Sequence, residues 1–65
     1  MKPYEIWRNK VYKDCVKILA LEKHEHNHKK GVIIECVRYR YVAEPDLTGF
    51  ETREEFWRKH EKVCD

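Results

Sequence analysis

The sequence predicts a mainly β fold with one C-terminal α-helix, built as a small barrel or a strongly bent antiparallel sheet. Two runs, residues 11–21 and 32–42, are rich in β-branched, aliphatic and aromatic side chains and separated by a wholly polar stretch. After them, Thr52-Arg53-Glu54-Glu55 has the spacing of a capping box, which opens a helix predicted over 53–63. With 65 residues, two Gly and two Pro, the composition suits a single domain over 1–65 and excludes a flexible linker.

Each element follows from local chemistry. Tyr4-Glu5-Ile6-Trp7 is a short β-prone run, and Arg8-Asn9-Lys10 is a polar break before Val11-Tyr12 resumes, so the opening reads as a hairpin. Residues 11–21 place apolar groups on both parities, as a central, bent strand does. Residues 23–31 hold no apolar side chain and are expected to form a solvated loop, with Gly31 available for a left-handed turn. In the second run Ile33, Val37, Tyr39 and Tyr41 share one parity and Arg38 and Arg40 the other, while Glu35 breaks the alternation and suggests a bulge near Glu35 and Cys36. Glu44-Pro45-Asp46 ends that strand. In the helix, Glu54 with Arg58 and Glu55 with Lys59 are i,i+4 pairs, and Phe56, Trp57, His60, Val63 and Cys64 form the apolar stripe. The core is expected to gather Trp7, Val16, Ile18, Val37, Tyr39 and Phe56.

Composition narrows the function. The chain has no Ser, which excludes serine-nucleophile chemistry, and no apolar run approaches the roughly 18–20 residues of a membrane span. No secretory leader is recognisable, and three widely spaced cysteines, Cys15, Cys36 and Cys64, suit reduced thiols, so a soluble cytoplasmic protein is expected. Neither Cys15 nor Cys36 is followed by a helix start or by oxyanion-hole glycines, and no enzyme and no cofactor are expected. Residues 1–43 carry ten basic and five acidic side chains, whereas residues 44–65 carry four and seven. The first two-thirds is therefore basic and the last third acidic.

The stretches Trp7-Arg8-Asn9-Lys10-Val11-Tyr12, Val16-Lys17-Ile18-Leu19-Ala20-Leu21, Val32-Ile33-Ile34-Glu35-Cys36-Val37 and Thr52-Arg53-Glu54-Glu55-Phe56, in that order, resemble small SH3-like β-barrel proteins of bacteria and phages. Most of those have no known function. The resemblance implies a compact β domain that presents loops and a strand edge to a partner, and phages use such proteins to occlude host enzymes or defence complexes. It transfers no catalytic residue.

The candidate site is a basic strand face. If the two long strands pair, Lys13 and Lys17 lie beside Arg38 and Arg40, with Arg8 and Lys10 at the hairpin end. The leading expectation is a non-enzymatic module that binds an acidic protein surface. A nucleic-acid-binding module is the alternative, opposed by the interspersed Glu5, Asp14, Glu22 and Glu35 and by the lack of exposed aromatics interleaved with the basic groups. A zinc-stabilised domain comes third: His24, His26 and His28 alternate, and His60 with Cys64 are four apart on the expected helix. The flanking Lys23, Lys29 and Lys30 would repel a dication, so no metal is expected.

Overall fold

The computed structural model describes residues 1–64 as a single antiparallel sheet of five strands with one short helix. In chain order these are β1 (Ile6–Asn9), β2 (Cys15–Glu25), β3 (Ile33–Tyr41), β4 (Thr48–Thr52), α1 (Arg53–Lys59) and β5 (His60–Cys64). The strands lie in the order β4-β3-β2-β1-β5, so the sheet is open, with β4 and β5 at its edges and α1 linking them. Of the two shapes expected, the bent sheet is the one observed.

An eleven-residue strand spans about 36 Å, and the molecule's longest dimension is 38 Å. The β2–β3 hairpin therefore sets the long axis. Its distal end projects, which raises the radius of gyration to 12.3 Å, where about 11 Å is usual at this length.

The expected core is the observed one: Trp7, Val16, Ile18, Val37, Tyr39 and Phe56 are buried together. Phe56, reaching down from α1, sits at its centre, edge-on to Trp7 at 5.5 Å and 5.4 Å from Tyr39. Tyr39 lies directly over Gly49, its register partner on β4, where a Cβ would run into the ring. Glycine is required there by contact, not by backbone conformation.

Several local expectations change. The first hairpin breaks over residues 10–14 instead of at 8–10, because the Asn9 side-chain oxygen accepts the N–H groups of Val11 and Tyr12 and Lys13 takes φ 67°. Val11 and Tyr12 are thereby exposed in a turn, and β2 starts only at Cys15. At its other end β2 continues through Lys23, His24 and Glu25, polar residues that pair with Glu35, Ile34 and Ile33. Gly31 has the left-handed conformation expected of it, φ 79°. The register slips between Ile18 and Ala20, so the extra residue is Leu19 on β2 and the bulge is not at Glu35 and Cys36. That slip moves Leu21 onto the face of Val37 and explains the apolar groups on both parities of the run.

The helix starts where the capping signature places it: the Thr52 hydroxyl accepts the Glu55 N–H at 3.2 Å. It ends four residues before the expected 63. After Lys59 the chain turns extended at His60, and residues 60–64 pair with β1 instead. Of the expected ion pairs on α1, Glu54–Arg58 is present at 3.7 Å, while Glu55 pairs with Arg58 at 3.0 Å and Lys59 reaches Glu51 at 2.9 Å.

Candidate interaction surface

One face of the sheet packs on α1 and the core; the other carries most of the predicted basic residues. Register sorts the second face into rows. Ile6, Lys17, Arg40 and Thr48 lie side by side across β1, β2, β3 and β4, and the next row holds Ala20, Arg38 and Phe50. Lys17 and Arg40 are thus direct cross-strand neighbours, with Arg38 one row away, as expected of the basic face. Arg8 faces Cys15 on β2 and Glu61 on β5. Lys13 departs from the expectation, because its left-handed turn conformation takes it off the strand. Lys10 is also in that turn, its backbone N–H donating to the Lys59 carbonyl. Both lie near Glu61 and help Arg8 hold that carboxylate below its ordinary range, the Arg8 hydrogen bond being the largest influence.

The cations differ in what they touch. The Arg38 guanidinium donates to Glu22 at 2.6 Å and lies 4.7 Å from the centre of the Phe50 ring. Its hydrogen bond, then that of His24 at 2.9 Å, pull Glu22 below the usual carboxylate range. His24 also meets Phe50 edge-on. Arg8 is bound to Glu61 at 2.9 Å, Arg53 to Glu35 at 2.6 Å, and Arg58 to Glu54 and Glu55. Arg40 is the one arginine without a carboxylate partner among the described residues, and Lys17 opposite it has none either.

Two aromatic rings join this face. Phe50 is 46% exposed and Tyr4 70% exposed, with the Lys17 ammonium 5.5 Å from the Tyr4 ring centre. Exposed aromatics are therefore interleaved with the basic groups, contrary to the sequence expectation. Neither was legible beforehand. Phe50 follows a turn without clear periodicity, and Tyr4 is placed by a left-handed backbone (φ 70°) whose N–H donates to the Ile18 carbonyl at 2.7 Å. Glu5 anchors the same segment. Its carboxylate accepts from the Lys2 N–H and the Trp7 indole and pairs with Lys62, and these contacts, the Lys2 one foremost, bring it to about 2.

The metal and nucleophile candidates are not assembled. Among the described residues no group of three or more His, Cys, Asp or Glu is placed to hold a metal ion. His24 is engaged with Glu22, and the His26 ring accepts the His28 N–H. His60 and Cys64 sit at opposite ends of a strand, about 13 Å apart by strand rise instead of adjacent on a helix. The Cys64 side chain itself lies outside the described residues. Cys36 is buried against the Ile34 carbonyl, and Cys15 is half-buried. Among the described residues no helix is long and apolar enough to cross a membrane.

Neither a family model, nor a curated protein, nor a solved structure matches this chain. Its functional reading rests on its own geometry.

Proposed function

We propose that this chain is a non-enzymatic binding module whose outer sheet face, centred on Lys17 and Arg40, docks on an acidic protein surface. The observation that carries the reading is the uncompensated pair. Like charges directly opposite on a sheet are destabilising, and every other arginine of the described chain has been given a carboxylate. An acidic side chain from a partner relieves that repulsion. Arg38, braced by Glu22 and Phe50, is already oriented for a second contact at little entropic cost. The left-handed backbone at Tyr4 supports the reading too, since a bulky residue in that conformation is a genuine outlier that must be held in place.

The strand order β4-β3-β2-β1-β5 and the helix between β4 and β5 support the likeness to small SH3-like proteins of bacteria and phages. On that reading the partner is a host enzyme or defence complex in the cytoplasm, occluded by contact. A nucleic acid is the second reading, favoured by Phe50 and Tyr4, whose exposed rings beside cations suit base stacking. Glu22 and Glu61 on the same face oppose it.

The test is capture of partners from a bacterial lysate with and without nuclease, followed by a salt titration of wild type and the Lys17→Ala/Arg40→Ala variant. A protein partner survives nuclease, loses at least tenfold in affinity in the double variant, and responds modestly to salt. A nucleic acid gives a steep log-linear salt dependence that the variant reduces. The double variant should melt no lower than wild type, because a repulsion has been removed. Unchanged binding in the variant refutes the outer face as the site in either form.

A further inference from the structure

The two ends of β3 have different neighbours. β4 pairs with Cys36–Arg40 and then leaves the sheet at Thr52 to become α1, whereas β2 continues along β3 as far as Ile33. Residues 33–35 therefore have a strand on one side only. Hydrogen-bond alternation gives the direction of the open groups. Tyr41 N–H donates to the Leu47 carbonyl on the β4 side, and Val32 C=O accepts the His26 N–H on the β2 side. Along a strand these directions alternate, so Ile33 turns its N–H and C=O away from β2, toward the place β4 has vacated.

That place is a groove of about 750 Å³, with Ile33 and Glu35 on one wall and Arg53, Glu54 and Trp57 on the other. Its apolar surface is accessible: Ile33 is 58% exposed and Trp57 60% exposed, on an indole held at its inner side by Trp7 at 5.7 Å. Glu35 and Arg53 neutralise each other at 2.6 Å. Glu54 keeps only the longer of two contacts to Arg58, 3.7 Å against the 3.0 Å that Glu55 has, and its side chain is 86% exposed. The lining residues, two acids and one base, therefore give the groove a net negative charge.

We propose that this groove takes an extended peptide, which adds as a strand beside residues 33–35 in line with β4, sets an apolar side chain between Ile33 and Trp57, and places a basic one near Glu54. A backbone strand is the occupant that an open ladder position recognises, and the groove's charge selects its sequence. The site is separate from the outer basic face and does not depend on it.

A capped heptapeptide, Lys-Val-Thr-Val-Thr-Val-Lys, is the probe, titrated against the full chain by amide NMR and tryptophan emission. Saturable shifts centred on Ile33 and Glu35, with a blue shift of emission that is lost in Trp57→Ala, are expected. Two analogues, N-methylated at the valines or at the threonines, keep the side chains but block opposite edges of the peptide. One should lose at least tenfold in affinity and the other should bind nearly as the parent does. An acidic-ended peptide, with glutamate in place of lysine, should bind at least fivefold more weakly. The N-methyl comparison uses wild-type protein and so does not depend on any variant folding. Equal behaviour of the two analogues, or no shift at Ile33 up to millimolar peptide, overturns strand addition. Sedimentation that shows a dimer abolished by Trp57→Ala assigns the groove to a second copy and overturns the peptide.

Discussion

The two halves of β3 are built from similar residues and end in opposite circumstances. Val37 and Tyr39 are flanked by β2 and β4, covered by Phe56 and almost wholly buried; Ile33, on the same parity, is mostly exposed. An isoleucine is as apolar as a valine, so composition does not separate them. What separates them is the second neighbour: where α1 and β4 cover the strand it becomes core, and where β4 has left, the same kind of side chain becomes surface.

One charge placed at each end separates the two halves most strongly. Val37→Asp puts an unpaired carboxylate into a site with no exposure, and so small a core should not fold cooperatively at 25 °C. Ile33→Asp should change stability by about 0.5 kcal/mol or less. Chemical denaturation followed by circular dichroism measures both, and equal effects would dissolve the distinction. The next largest effect concerns the polar edge of the core, where the Tyr39 hydroxyl donates to Glu51 at 2.7 Å. Burial drives Glu51 up, but Tyr39 and Lys59 outweigh it and leave the carboxylate below its ordinary value. Tyr39→Phe should cost about 1.5–3 kcal/mol, the range for a hydrogen bond to a charged group. Thr52→Ala removes the helix cap and should cost about 1 kcal/mol. Both are read from denaturation midpoints.

The pH dependence sharpens the same contrast. Burial against Phe56 pushes His60 below its ordinary 6.5, despite the hydrogen bond to the Phe56 carbonyl. The folded protein thus binds this proton less readily than the unfolded chain. Stability from His60 is full above pH 6.5 and falls as pH drops from there through the depressed folded value. Glu5 acts lower down. Its stabilisation is present above pH 4.5 and is lost as pH falls toward about 2. Melting temperatures between pH 8 and 2 should show both declines, with the upper one flattened in His60→Gln and the lower one in Glu5→Gln.

Much of the site was legible from alternation. The parity of Arg38 and Arg40 against Tyr39 and Tyr41 sufficed to put the arginines on the outer face, and strand pairing alone brought Lys17 to Arg40. The division of labour between the arginines was not legible. Glu22 reaches Arg38 and leaves Arg40 unpaired because the slip at Leu19 sets which residues of β2 fall on that face. Tyr4 and Phe50 were missed because no periodic pattern surrounds either.

The β character, the six core residues and the start of the helix can be read from the amino acids alone. Each rests on information local to a few residues: alternation, side-chain size, and a cap three residues from the amide it serves. The end of the helix, by contrast, is set by long-range pairing. Phe56, His60 and Val63 continue a helical stripe, and neither Gly nor Pro stops it. The stop comes from fifty residues away, where β1 offers an unpaired edge and four register pairs with it satisfy the backbone while keeping His60 stacked on Phe56 at 4.2 Å. Local propensity at residues 60–64 is weak enough for that long-range ladder to win, and the same choice, by closing β1 and drawing the chain away from β3, leaves residues 33–35 open.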